Sequence, residues 1–312
     1  MKKAIKTIAI LLILIIAIAA GVLFLRPNLI VSKLKAKADL TLPTSHFINW
    51  RNAEIHYTVE GTGFPILMVH GFGGSVRNFT KLTDSLKNEY RIVRIDLPGF
   101  GLSDMPELQK GETFINLYQD YMQFIIDTLD LDSMYLIGNS MGGMVAWNVA
   151  AFDSTHIKKM VLLNAAGYEL DKIAKGATGK MSDKRMLYLF EKVLPLTFSE
   201  GAARKCFADG SKIDYGIVPQ NNEMWNRQGN IQAAFALACS GSFPDSANIT
   251  KVSCPTLIIW GEQDEVVPVT HAQKFKRDIK NSQLIVYNPC GHVPMIEVPE
   301  LLVPDLRKFF AE

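Results

Sequence analysis

Beyond about residue 47 the chain alternates short, largely apolar runs with longer stretches of helical periodicity, and few folds accept that rhythm. The runs Pro65 to His70, Arg91 to Asp96, Met134 to Gly138, Lys159 to Asn164, Thr256 to Trp260 and Gln283 to Tyr287 read as buried strands. Between them, Asn116 to Asp130 places Leu117, Tyr121, Phe124, Ile125 and Leu129 on one face of a helix, as a helix covering a sheet requires. Strands and helices in alternation predict an α/β architecture, a mostly parallel sheet flanked by helices. A chain of 312 residues with 48% hydrophobic content has the material for one large core.

One interval breaks the rhythm. From about Tyr168 to Asn248 no strand pattern occurs, while Met186, Leu187, Phe190, Val193 and Leu194 recur at helical spacing. The reading is an inserted helical cap over 168–248, its apolar stripe packing mainly onto the core and in part lining an acyl pocket. The core is then expected over 47–167 and 249–312.

The N-terminal segment 1–28 is of another kind. Lys2, Lys3 and Lys6 precede an unbroken apolar run from Ile8 to Leu25, closed by Arg26 and Pro27. That run is just long enough to cross a bilayer as a helix. Ala17-Ile18-Ala19 resembles the cleavage site of a signal peptide, but Val22 to Leu25 continues the apolar stretch past it, so an uncleaved single-pass anchor over 1–28 is expected. Lys2, Lys3, Lys6 and the amino terminus before the run face Arg26, Lys33, Lys35 and Lys37 after it, a near balance that tips the expected orientation only slightly toward a folded domain outside the cytoplasm. The stretch 29–46 reads as a juxtamembrane linker, whose lysines either sit among anionic headgroups or simply solvate a tether.

Charge and cysteine usage narrow the classes further. The segment 1–40 holds seven of the Lys and Arg side chains and a single acid, Asp39, leaving 26 basic and 30 acidic side chains in the rest. This mildly acidic body does not fit a nucleic-acid partner. Cys206, Cys239, Cys254 and Cys290 form no CxxC pair and have no His at ligand spacing, so no metal is expected and the four read as buried thiols. An exported domain would leave a disulfide between two of them open.

The chemistry centres on Gly138-Asn139-Ser140-Met141-Gly142, placed between a predicted strand and a helix expected to start near Met144. Residues two before and two after a serine on so sharp a turn must lack bulk, and both are glycine. A serine hydroxyl needs a base, and the base an acid. His292, in Gly291-His292-Val293-Pro294, is the one late histidine beside a glycine at a strand end. His46, His56, His156 and His271 read as solvated surface side chains, and His70 belongs to another motif. For the acid, Asp264 in Trp260-Gly261-Glu262-Gln263-Asp264 suits the tight turn better than Glu262 or Glu265. Asp96 is the other candidate, read instead as a turn residue bonding its own backbone. The position just after the Lys159 strand is occupied by Asn164, which is no acid. Acyl transfer also needs N–H donors for an oxyanion, and His70-Gly71-Phe72-Gly73-Gly74 after a strand offers them, so the amides of Phe72 and Met141 are the expected pair.

HGFGG, DLPGFG, GNSMGG, PTLIIWGEQDEVVP and CGHVPMIEVPE occur in the order and spacing of the α/β-hydrolase superfamily. The set resembles bacterial family V lipases and membrane-anchored monoacylglycerol lipases of the abhydrolase-domain 6 type, over about residues 47 to 310. The resemblance implies an α/β-hydrolase fold and hydrolysis of carboxylic esters, such as monoacylglycerols, through an acyl-enzyme and without cofactor or metal. Two other readings stand beside it: a carbon–carbon bond hydrolase of the meta-cleavage type, which shares GNSMGG and a helical cap, and a ligand-binding protein without turnover.

Overall fold

The computed structural model describes residues 30–169, 201, 204–213, 218–241 and 243–312. Eight strands form one sheet: β1 (Ser45–Trp50), β2 (Ala53–Glu60), β3 (Phe64–Val69), β4 (Tyr90–Ile95), β5 (Met134–Asn139), β6 (Ile157–Leu163), β7 (Thr256–Gly261) and β8 (Ser282–Tyr287). Their order is β1-β2-β4-β3-β5-β6-β7-β8. β2 pairs antiparallel with β1 and with β4, while all other neighbours are parallel, so β2 alone opposes the rest. Each of the six expected strands lies within two residues of its observed bounds.

The described helices are α1 (Lys33–Leu40), α2 (Thr80–Leu86), α3 (Phe114–Thr128), α4 (Met141–Phe152), α5 (Val218–Trp225), α6 (Asn230–Ser240), α7 (Thr270–Asp278), α8 (Pro294–Glu297) and α9 (Pro299–Ala311). A sheet covered on both faces explains why its strands read as apolar runs without alternation. Along β3, Leu67 and Val69 face the layer of α3 and α4, with Leu117, Tyr121, Ile125 and Trp147. Ile66 and Met68 face the layer of α2 and α9, with Leu82, Leu86, Leu302 and Phe310. α3 begins where Thr113 and Asn116 form a reciprocal capping box, two residues ahead of the expected start. α4 begins at Met141 rather than near Met144, because the turn holding Ser140 passes straight into the helix.

The stretch 29–46, expected as a linker, contains α1. Ser32 caps it, and Ala36 and Leu40 are buried against Leu102 and Met224. Val31 adds a short parallel bridge, donating from its N–H to the Asn226 carbonyl at 2.9 Å and accepting from the Gln228 N–H at 2.8 Å. The lysines are held by carboxylates of the same chain: Lys33 by Asp104 at 2.9 Å, Lys35 by Glu223 at 3.2 Å and Lys37 by Glu54 at 2.7 Å. Such exposed pairs each contribute at most about 1 kcal/mol, so the buried Ala36 and Leu40 do more to hold the helix down.

Between 168 and 248 the described elements are helical: α5, α6, a 3-10 turn at Gly210–Lys212 and the start of another at Ser246–Lys251. The stem of α5 and α6 is pinned to the loop after β4. Buried Arg227 pairs with Asp104 at 2.6 Å and donates to the Ser103 carbonyl, and Asn230 donates to the Gly101 carbonyl at 2.9 Å. The apolar stripe from Met186 to Leu194 lies outside the described residues, as does the expected anchor over 1–28. Among the described residues no helix is long and apolar enough to cross a membrane.

Candidate active site

The turn between β5 and α4 forces Ser140 to φ 54° and ψ −116°, a conformation that L-residues avoid at a cost of about 1–3 kcal/mol. The neighbouring glycines make it possible. A Cβ on Gly138 would lie 2.4 Å from the Gly142 carbonyl oxygen, and one on Gly142 would lie 2.1 Å from that of Val69. Ser140 is fixed from both sides, its N–H donating to the Leu163 carbonyl and its carbonyl accepting from Ala166, each at 3.0 Å.

His292 and Asp264 come together from separate loops, with His292 Nδ1 2.7 Å from Asp264 Oδ2. Both side chains are buried. A carboxylate acceptor at Nδ1 fixes the tautomer that carries its proton there and leaves Nε2 as the basic nitrogen. Asp264 is saturated: Oδ1 accepts from the N–H groups of Val266 and Val267 at 2.7 and 2.9 Å, and Oδ2 also accepts from Asn164 Nδ2 at 2.7 Å. Asn139, beside the serine, donates to the His292 carbonyl at 3.2 Å and so ties the turn to the histidine loop.

The Gly71-Phe72 loop passes directly over the serine, so closely that a Cβ on Gly71 would lie 2.9 Å from Ser140 Cβ. His70 sets this loop. Its Nδ1 lies 2.7 Å from the Gly71 carbonyl oxygen and its Nε2 accepts from the Leu97 N–H at 3.0 Å, which requires the neutral ring with the proton on Nδ1. Burial pushes the His70 pKa down, in keeping with that form, against the opposing charge of Asp96. Phe72 is 41% exposed and packs edge-on against Phe100 and Trp225, with ring centroids 5.3 and 6.0 Å away. Trp225, at the end of α5, covers the loop at Gly73, where a Cβ would lie 2.9 Å from its ring. The region over the serine is therefore apolar and aromatic.

Asp96 has a different place. It is fully buried, with Oδ1 accepting from Val76 N–H at 2.7 Å and Oδ2 accepting from Leu102 N–H at 2.8 Å. Oδ2 also lies 2.6 Å from His56 Nδ1. Burial alone would raise its pKa, but His56, His70 and the Leu102 N–H outweigh burial and hold the carboxyl below its ordinary range. It bonds backbone as expected, though at Val76, before β4, as well as within its own turn. The solvated reading of the other histidines holds for neither His56 nor His271, which are 1% and 4% exposed. His56 lies between Asp96 and Ser45, and His271 packs edge-on against Tyr168.

Four supporting residues were not assigned from the sequence: Asn164, Asn139, His70 and Glu297. Asn164, just past β6 at φ 47°, donates to Asp264 and so supports that carboxylate. All four cysteines are free, Cys254 and Cys290 buried, Cys206 and Cys239 only partly so. Burial, aided by nearby Asp264, pushes the Cys206 thiol up to about 11 and, with Glu297, the Cys290 thiol up to about 12, so both stay protonated near neutral pH. Among the described residues no three His, Cys, Asp or Glu side chains gather as a metal site.

The chain belongs to the α/β hydrolase fold family, whose pattern matches residues 65–299. It is 27% identical over 266 residues to an uncharacterized hydrolase, YugF, of Bacillus subtilis (strain 168), covering 81% of this chain and 92% of that one. It is 28% identical over 264 residues to Lipase 3 of Moraxella sp. (strain TA144), covering 80% and 78%. Similarity to 2-hydroxy-6-oxo-6-(2'-aminophenyl)hexa-2,4-dienoic acid hydrolase of Metapseudomonas resinovorans is 28% over 267 residues, covering 81% and 86%. Among solved structures, the serine hydrolase CarC of carbazole degradation superposes with a TM-score of 0.68 at 25% identity, covering 86% of this chain and 98% of that one. A membrane phospholipase A described as a bacterial virulence factor superposes with a TM-score of 0.71 at 23% identity, covering 98% of each chain. The protein is a hydrolase of this fold, with lipases and meta-cleavage hydrolases among its relatives.

Proposed function

We propose that the protein is a serine hydrolase that cleaves carboxylic esters of monoacylglycerol-like lipids through an acyl-enzyme. Three observations carry this reading together: Ser140 on its strained turn, the 2.7 Å His292–Asp264 pair whose loop is tied to that turn by Asn139, and the Gly71-Phe72 loop laid against the serine. Ser140 Oγ attacks the ester carbonyl as His292 Nε2 takes its proton, and the bond to the alcohol breaks as that proton passes to the leaving oxygen. The Phe72 and Met141 amides hold the tetrahedral oxyanion. Water then attacks the acyl-enzyme in the same way, releasing the acid and restoring Ser140. Asp264 stabilises the imidazolium while remaining ionised.

The aromatic cover of Phe72, Phe100 and Trp225 favours an apolar acyl group, and the likeness to Lipase 3 supports an ester substrate. The apolar run Ile8 to Leu25 supports a single-pass anchor, and the charges flanking it slightly favour a catalytic domain outside the cytoplasm. Retention in the membrane pellet after alkaline carbonate, with protease access from outside intact cells, is the expected result. A second reading, hydrolysis of a carbon–carbon bond in a ring-fission dienone, is favoured by the similarity to the aminophenyl-hexadienoic acid hydrolase. Turnover assays on short-chain esters, long-chain monoacylglycerols, triacylglycerols and a dienone, with Ser140→Ala as control, separate the two. Ser140-dependent release of fatty acid from monoacylglycerol is expected; turnover of the dienone alone overturns the ester reading.

A further inference from the structure

The base of the proposed triad is held by its backbone as well as by Asp264. The four polar main-chain groups of Gly291 and His292 bond to four separate parts of the fold. Gly291 N–H donates to Glu297 Oε2 at 2.7 Å, and the Gly291 carbonyl accepts from Asn164 Nδ2 at 3.2 Å. His292 N–H donates to the Cys206 carbonyl at 2.7 Å, and the His292 carbonyl accepts from Asn139 Nδ2 at 3.2 Å. Two partners come from strand ends, one from α8, and one from the 206–212 segment within the expected cap. That segment presses directly on the histidine loop, since a Cβ on Gly291 would lie 2.5 Å from the Cys206 carbonyl oxygen and 2.8 Å from the Ala208 nitrogen.

Glu297 joins the two sides. It is 3% exposed, and its second oxygen, Oε1, accepts from the Asp209 N–H at 2.9 Å while its own carbonyl accepts from Lys212 Nζ at 2.9 Å. One buried carboxyl group thus spans the residue before the histidine and the 206–212 segment. A carboxyl at this point accepts two N–H groups, a task that neither an amide nor an apolar group of the same shape performs. The triad and the oxyanion loop do not use it.

The geometry points to Glu297 as a positioning residue: it fixes His292 through Gly291 and locks the 206–212 segment onto the histidine loop, making that segment part of the catalytic frame. The inference rests on the reading of His292 as the base.

Glu297→Gln tests this in the full-length, detergent-solubilised protein. The amide retains one acceptor and turns an NH₂ toward the other N–H, so about a ten- to hundredfold loss of kcat is expected, as for a small displacement of a reacting group, with KM within about twofold. Deuterium exchange read by mass spectrometry gives the independent arm. In the wild-type protein the Gly291, His292 and Asp209 amides, each bonded to Glu297 or to the Cys206 carbonyl, are expected to be as protected as the central strands. In Glu297→Gln both peptides lose protection together while β3 and β5 keep theirs. Thr113→Ala, remote from the site, controls for lost stability and is expected to leave kcat unchanged. Unchanged kcat in Glu297→Gln overturns the inference, and so does a rise in KM alone. Exchange accelerated throughout the sheet also overturns it, reducing Glu297 to a stability role. Fast exchange at Gly291–His292 in the wild-type protein overturns it without any variant. Absence of Ser140-dependent turnover in the wild-type protein refutes the triad instead, and the exchange arm still decides whether the clamp exists.

Discussion

Gly142→Ala is the substitution whose consequence the geometry defines most sharply. A Cβ there lies 2.1 Å from the Val69 carbonyl oxygen and 2.5 Å from that of His70. Carbon and oxygen meet at about 3.3 Å in the closest common contacts, so the start of α4 and the end of β3 must separate by about 1 Å. Neither can yield by rotating a side chain, because both obstructing atoms are backbone at the centre of the sheet. Ser140 lies two residues before the added atom and the Phe72 amide three residues beyond Val69, so the separation opens between the proposed nucleophile and its proposed oxyanion donor. A 1 Å error in such a constellation costs about 100-fold in rate, or about 2.8 kcal/mol at about 1.4 kcal/mol per tenfold. The overpacking itself costs about 1–3 kcal/mol of stability. The assay is kcat/KM on a short-chain ester with Tm measured on the same sample, beside Gly210→Ala, whose added Cβ would meet nothing within 4 Å. A Gly142→Ala protein with wild-type turnover and wild-type Tm would refute the reasoning about the turn.

Further outcomes follow from the same contacts. Asn164→Gly keeps the left-handed backbone but removes the donor shared by Asp264 and the Gly291 carbonyl; kcat is expected to fall about tenfold with KM unmoved, measured by steady-state kinetics. Asp264→Asn should fold normally yet lose about 10⁴ in kcat, whereas Asp96→Ala strands the buried Val76 and Leu102 N–H groups and should fail first in thermal unfolding. Burial alone would raise the Asp104 pKa, but Lys33 and Arg227 outweigh it and hold the carboxyl below its ordinary range. Its folded pKa lies below its unfolded one, so the pair's stabilisation is present above about pH 4 and is lost as pH falls through the folded pKa. Asp104→Asn is therefore expected to flatten the loss of Tm below about pH 4, and an unchanged acid limb would contradict the pairing. Thr113→Ala removes a capping box and should lower stability by about 1 kcal/mol in urea unfolding without touching kcat.

What could be read in advance was whatever a local pattern encodes. β3, β5 and β7 are largely apolar because both sheet faces are covered, and Gly138 and Gly142 flank the serine because backbone atoms occupy the space a Cβ would need. What could not be read depends on partners far apart in sequence. α1 carries only Ala36 and Leu40 as buried residues, and its lysines find Asp104, Glu223 and Glu54, so by composition alone it resembles a solvated tether. His56 reads locally as a solvated surface histidine, and only its pairing with Asp96, just past β4 and 40 residues away, buries it. Asn164 stood at the right position, but its role became visible only when β7 brought Asp264 beside it. Glu297 sits in a motif recognised for its histidine, and nothing local indicates that its carboxyl reaches Asp209, on the far side of β7 and β8 in the sequence.

The central claim is that Ser140 is a nucleophile activated by the His292–Asp264 pair, and its most direct test is stoichiometric fluorophosphonate labelling of folded protein, read by intact mass and peptide mapping. One adduct per chain is expected, located on Ser140, with the labelling rate reduced by orders of magnitude in His292→Ala and Asp264→Asn. No adduct on folded wild-type protein, or labelling that is indifferent to His292, would contradict it.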